Sequence, residues 1–132
     1  MAAAEIRGGG IWGTVRFRQT ADGTMVTADI RGLADGFYGF HIHGGGDCGG
    51  VDFGNTGMHY NPSGEPHPFH PGDLPSLLFT GGGAYLSVLT RRFRVSDVIG
   101  KTVVIHSKPD DFRTQPAGNA GQKIACGVIR RT

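Results

Sequence analysis

From Gly44 to about Pro75 the chain shows no helical or strand periodicity, and that stretch limits the fold more than any other feature of the sequence. A structureless loop of that length is uncommon in a compact domain, and where one is real it is usually functional. Five of the six histidines lie between His41 and His70, and the sixth, His106, returns far downstream inside an apolar run. Bonds to metal would explain how the loop stays ordered, because histidine is the commonest metal ligand. Prolines at 62, 66, 68, 71 and 75 limit the conformations of the stretch and lower the entropy lost when ligands are gathered.

The segments around the loop alternate apolar and polar residues. Ile11–Arg18 and Met25–Ile30 flank Ala21-Asp22-Gly23 and read as a β-hairpin, with Asp22-Gly23 supplying the turn. Gly36–His43 is another strand, in which His41 and His43 share one face with Ile42 opposite. Leu77–Thr80 and Tyr85–Leu89 flank Gly81-Gly82-Gly83, and Lys101–His106 and Ile124–Ile129 form a further pair. Phe93 to Gly100 reads as a short extended or turn segment, and Ala3–Arg7 could add an edge strand. Seven to eight short strands without a long amphipathic helix, in a chain with 24 glycines, predict an all-β sandwich or flattened barrel. At 132 residues with no internal repeat or linker, residues 1–132 read as a single domain.

Charge is mild at +2, with no concentrated basic stripe, which argues against nucleic acid and leaves a small anion as the expected partner. No apolar run approaches the ~20 residues needed to cross a bilayer, so no membrane association is expected. The N-terminus lacks a basic segment followed by an apolar one. The chain is therefore expected to be cytoplasmic if complete and extracytoplasmic if a signal was removed. Cys48 and Cys126 suffice for one disulfide, and in a reducing compartment they would be two free thiols.

Two donor groups stand out. His41 and His43, with His106 from another strand, could offer three imidazole nitrogens to a transition metal, or could be satisfied polar residues. His59, His67, His70 and Asp73 offer three imidazoles and a carboxylate, a closed shell for tetrahedral Zn²⁺, against the reading of an incidental polar loop.

Five ordered blocks then narrow the choice: Gly39–His43, Gly57–Pro62, His70–Leu74, Gly100–His106, and Gly118–Gly121 running into Ala125–Ile129. In order and content they resemble the copper/zinc superoxide dismutase family, over most of the chain from Gly13 onward. Gly46-Asp47-Cys48 and the stretch from Pro109 to Gly118 resemble bacterial members more than animal ones. The resemblance implies an eight-stranded Greek-key fold. It also implies copper on His41, His43, His59 and His106, and zinc on His59, His67, His70 and Asp73, with His59 shared. The implied activity is superoxide disproportionation, in which one superoxide is oxidised to O₂ and a second reduced to H₂O₂, with His59 holding and delivering a proton. Asp110 would brace His41 and His67, and Cys48 would pair with Cys126. Members of this family also pair, so a homodimer is an expectation whose face is not legible here.

This chain departs from the family pattern at four places. Lys123 fills a slot usually held by arginine, so steering of the anion falls to Lys123 and Arg113, with lysine a point charge in place of a planar fork. His67 and His70 are separated by only two residues, the 112–117 stretch is short, and the brief N-terminus suggests a first strand that is frayed or missing. Two rival readings share some of these residues. One is a copper-binding or copper-delivery module on the same fold. The other is a zinc hydrolase, which would need an open zinc position and a base where only Glu65 is near.

Overall fold

The structure, a computed structural model, describes residues 1–132. Eight strands run β1 (Ala2–Gly8), β2 (Ile11–Thr20), β3 (Gly23–Arg31), β4 (Gly36–His43), β5 (Asp73–Phe79), β6 (Gly83–Thr90), β7 (Thr102–His106) and β8 (Lys123–Arg131). A 3₁₀ segment, Val51–Thr56, and one helical turn, α1 (Val95–Val98), are the only other regular elements. All pairings are antiparallel, in the order β5-β4-β7-β8-β1-β2-β3-β6. Its two end strands, β5 and β6, are joined by the short link Thr80–Gly82, so the sheet must curl until its edges meet. The result is a nearly closed barrel. Connections from β3 to β4 and from β6 to β7 join strands that are not neighbours, the Greek-key feature.

The alternation read from the sequence sets which side chains fill the barrel. Ile11, Val15 and Phe17 of β2, Val26, Ala28 and Ile30 of β3, and Phe40 and Ile42 of β4 are buried with Leu77, Phe79, Ile105 and Ile129 in one core. Their neighbours along each strand face outward.

Three expectations change. The N-terminal segment is neither an edge strand nor frayed. It pairs with β2 from Ala2↔Phe17 to Gly8↔Ile11 and with β8 on its other side. Ala2, Ala4 and Ile6 alternate inward, and an alanine-rich run has too little intrinsic β preference to announce an interior strand. The first hairpin turns one residue earlier than Asp22-Gly23 suggested, because Gly23 already pairs with Thr20 and leaves Ala21-Asp22 as the loop. The strand after the loop begins at Asp73 and not Leu77, so Asp73 sits on a strand opposite His41. Pro75 hid this start, and it is tolerated because β5 ends the hydrogen-bonded row. Phe93–Gly100 contains the turn α1, whose Asp97 carboxylate accepts from the Arg94 backbone N–H at 2.8 Å.

The loops that matter for function are Gly44–Gly72, between β4 and β5, and Ser107–Gln122, between β7 and β8. Because β4 and β7 are neighbours, both loops close over the same outer patch of the barrel. A register shift between Tyr38 and Phe40 places Gly39 where any Cβ would meet Ala120 and His106, which lets the second loop approach.

Candidate metal centre

Strand register assembles the first donors. His41 and His43 stand on the outer face of β4, His41 opposite Val104 and His43 opposite Thr102, while His106 ends β7 beside them. The residues around His59 are stitched onto the free end of β4: Gly44 N–H donates to Met58 O at 2.8 Å and Tyr60 N–H to Ile42 O at 2.7 Å. All six histidines are buried although five of them sit on or beside loops.

One nitrogen each from His41, His43, His59 and His106 lies within 4.8 Å of the others, and the same holds for the donors of His59, His67, His70 and Asp73. His59 belongs to both groups. Its Nδ1 lies 2.8 Å from Asp73 Oδ1 and 3.3 Å from His70 Nδ1, whereas its Nε2 is buried without a partner.

The protonation pattern follows from the partners. His43 Nδ1–H donates to Gly57 O at 2.8 Å, so the neutral ring presents a bare Nε2 toward His106 Nε2, 3.2 Å away. Asp110 is a carboxylate and accepts only. It lies 2.7 Å from His41 Nε2 through Oδ2 and 2.7 Å from His67 Nε2 through Oδ1, so both rings carry hydrogen there and leave Nδ1 bare. His41 Nδ1 and His67 Nδ1 are indeed buried without a hydrogen-bond partner. His67 Nδ1 comes within 3.0 Å of Asp73 Oδ2 but is not directed at it. An unpaired buried acceptor costs about 1–3 kcal/mol, so several converging on two points call for cations.

Electrostatics keep the rings ready to bind. Burial pushes His43 down to about 2 and His106 to about 3, so both are neutral near pH 7. Burial also lowers His41, more than the Asp110 hydrogen bond raises it, and lowers His70. Burial alone would raise Asp110, but the hydrogen bonds from His41, His67 and the Phe112 N–H outweigh it and hold the carboxyl well below its usual range. Asp73 is lowered in the same way, against burial, by the His59 hydrogen bond and the neighbouring imidazoles. The donor sets fit the two ions implied earlier: four imidazole nitrogens suit copper, and three with one carboxylate suit zinc.

A cavity of about 670 Å³ opens onto this patch, with His43, His59, His70 and His106 in its wall. Lys123 is the one cationic side chain that lines it. Its Nζ donates to Thr56 Oγ1 at 2.8 Å and Gly57 O at 2.9 Å, and partial burial lowers its pKa. Arg113 does not line the cavity; its side chain is exposed, and its backbone N–H donates to Asp111 Oδ1 at 2.9 Å. The two steering candidates are thus not brought together.

Several supports went unnoticed in the sequence. Arg92 Nη1 donates to Pro68 O at 2.9 Å and His70 O at 3.4 Å, and the His70 N–H donates to Asp73 Oδ2 at 3.0 Å, which together brace the short His67-to-His70 step. Gln115 clamps the His67 main chain, accepting from its N–H at 2.9 Å and donating to its C=O at 2.7 Å. Gly118, at φ 75°, backs the carboxylate so closely that any Cβ would collide with Asp110 Oδ1. Arg92 lies 22 and 24 residues from the carbonyls it holds and Gln115 lies 48 from His67, and nothing in one sequence marks them. Cys48 and Cys126 form a disulfide across 78 residues, tying the segment that carries Thr56 and Gly57 to β8.

An eight-stranded Greek-key barrel with two donor sets meeting at one imidazole defines an all-β protein built for a pair of metal ions. The family model for copper/zinc superoxide dismutase matches residues 11–129. The chain belongs to the copper/zinc superoxide dismutase family. It is 38% identical over 128 residues to a superoxide dismutase [Cu-Zn] of Legionella pneumophila, spanning 89% of this chain and 77% of that protein. With a superoxide dismutase [Cu-Zn] of Caulobacter vibrioides it shares 31% identity over 135 residues, spanning 89% and 78%. Among solved structures, a crystal structure of the clock protein EA4 superposes with a TM-score of 0.90 at 36% identity, covering 98% of this chain and 92% of that one.

Proposed function

We propose that the chain disproportionates superoxide to O₂ and H₂O₂, with His41, His43, His59 and His106 holding copper and His59, His67, His70 and Asp73 holding zinc. Copper, when bound, supplies reversible one-electron chemistry, and zinc supplies redox-inert positive charge. Everything else falls to the protein. Lys123 draws the anion into the cavity beside His43, His59 and His106. Asp110 fixes the tautomers of His41 and His67 together, so the two donor sets are oriented by one carboxylate. His59 Nε2, buried and without a protein partner, is the atom placed to hold a proton and pass it to the departing peroxide.

The observation that carries this reading is that His59 belongs to both donor sets, with Nδ1 against Asp73 and His70 and Nε2 buried without a partner. Metal analysis of the reconstituted protein should find copper and zinc in equal amounts, and the loaded protein should remove superoxide catalytically in the presence of a chelator that silences free copper. Full copper occupancy without chelator-resistant superoxide removal would return the chain to a storage or delivery role. His59→Gln should uncouple the two metals, so that each binds without altering the affinity of the other.

A further inference from the structure

Three to five strands away from β4 in the hydrogen-bonded order, the outer face of β1, β2 and β3 carries a second, differently built surface. Trp12, the only tryptophan, is 57% exposed there. Register sets it directly between Arg7 on β1 and Arg31 on β3. Cross-strand neighbours on one face stand about 5 Å apart at Cβ, so the indole rises between two arginine side chains. The next row along is Glu5, Thr14 and Asp29. Beyond it lies Arg16, with Arg130 across Ala3.

These rows border a concave groove of about 470 Å³. The indole face is free: the cation–π pairs of this chain are Arg92 on Phe69 and Lys101 on Tyr60. With Arg18 the face holds five exposed arginines against two carboxylates, an excess of three on a chain whose whole net charge is +2. The positive charge of the molecule is thus gathered on a face that does not border the metal cavity.

We propose that this groove binds an acidic polysaccharide. Arginine's planar fork suits sulfate, carboxylate or phosphate groups, and it stands on both sides of a flat ring that can stack on the C–H face of a pyranose. The middle row selects among polyanions. Glu5 is held only by Thr14 Oγ1 at 3.3 Å, and Asp29 only by Arg31 at 3.8 Å, so both keep lone pairs free. Two carboxylates in mid-groove repel a phosphodiester backbone or an anionic lipid layer, which have few hydroxyls to offer, whereas they accept hydrogen bonds from sugar hydroxyls. The ligand therefore bears acidic groups and hydroxyls on one chain.

Trp12 makes the test direct, because tryptophan emission reports this one position. Metal-loaded protein titrated with dextran sulfate should show a saturable change in emission. Uncharged dextran of the same length should give none, and a DNA oligonucleotide or vesicles of anionic phospholipid should bind at least tenfold more weakly. Arg7→Gln and Arg31→Gln should each weaken dextran sulfate about fivefold, as expected for one exposed ionic contact, while superoxide removal is unchanged. Trp12→Ala, checked by an unaltered thermal unfolding midpoint, should elute early from a dextran sulfate column. The proposal is overturned if emission does not respond, if DNA or vesicles bind as well as dextran sulfate, or if retention survives Trp12→Ala. It is equally overturned if emission of the free protein shifts with its own concentration, which would mark the face as a contact between copies.

Discussion

Replacing Asp110 with asparagine should separate the two donor sets. The carboxylate accepts three hydrogen bonds at its two oxygens: His67 Nε2 and the Phe112 N–H at Oδ1, both at 2.7 Å, and His41 Nε2 at Oδ2, also at 2.7 Å. An amide keeps one oxygen, and it keeps most by placing that oxygen in the Oδ1 position, where it still serves two donors. The amide nitrogen then faces His41 Nε2–H, donor against donor. His41 relieves the clash by moving its hydrogen to Nδ1, the atom that would otherwise bind copper. Losing a charge-assisted hydrogen bond of about 1.5–3 kcal/mol and the right tautomer should lower copper affinity about 10- to 100-fold. Zinc affinity should change only a few-fold, because His67 keeps its partner. Competition against a chromophoric chelator, run separately for each metal, measures both numbers. Zinc falling while copper holds, or neither changing, would refute the tautomer argument.

Lys123→Met should slow superoxide removal about tenfold at low ionic strength and flatten its salt dependence, since no other cation lines the cavity; an unchanged salt profile in stopped-flow decay would count against steering by this residue. Cys126→Ser opens a 78-residue loop and should cost about 4 kcal/mol in the chain-entropy model, read from denaturant midpoints of the oxidised and variant proteins. The metal-free protein should weaken in acid. His43 and His106 titrate near 2 and 3 when folded against 6.5 when unfolded, so below pH 6.5 the unfolded chain takes up protons that the folded one refuses. Stability from these two rings is full above pH 6.5 and falls as pH drops toward their folded values, by about 1.4 kcal/mol per pH unit for each ring. Urea unfolding of the apo form at pH 7.5 and 5.5 should therefore differ by about 2–3 kcal/mol, and equal midpoints would sink the account.

Where the sequence was legible, it was so because the signal is local. Alternation in Ile11–Arg18 or Gly36–His43 reports burial on one face directly, and the side-by-side placement of His41 and His43 needs only the pleat of one strand. β1 is hard to read because alanine buries well but advertises little, and its interior place depends on β8 at the far end of the chain. The donor residues could be named from their types and order, but what orients them could not. Asp110 meets His41 across 69 residues and His67 across 43, and Arg92 braces a turn 22 residues before it. Such distances are set by barrel closure, which no window of sequence contains. Arg113 shows the converse: its charge suited a steering role, yet its loop keeps it outside the cavity.

The Gly57 carbonyl receives both the Nδ1–H of His43 and the ammonium of Lys123. A lone peptide oxygen thereby couples the imidazole to the ammonium: whatever draws the ammonium away leaves that oxygen wholly to the imidazole, which becomes the more electron-rich donor. Perturbations at 43 and 123 should accordingly be non-additive, and the sign of the departure from additivity reports which of the two N–H groups the oxygen favours.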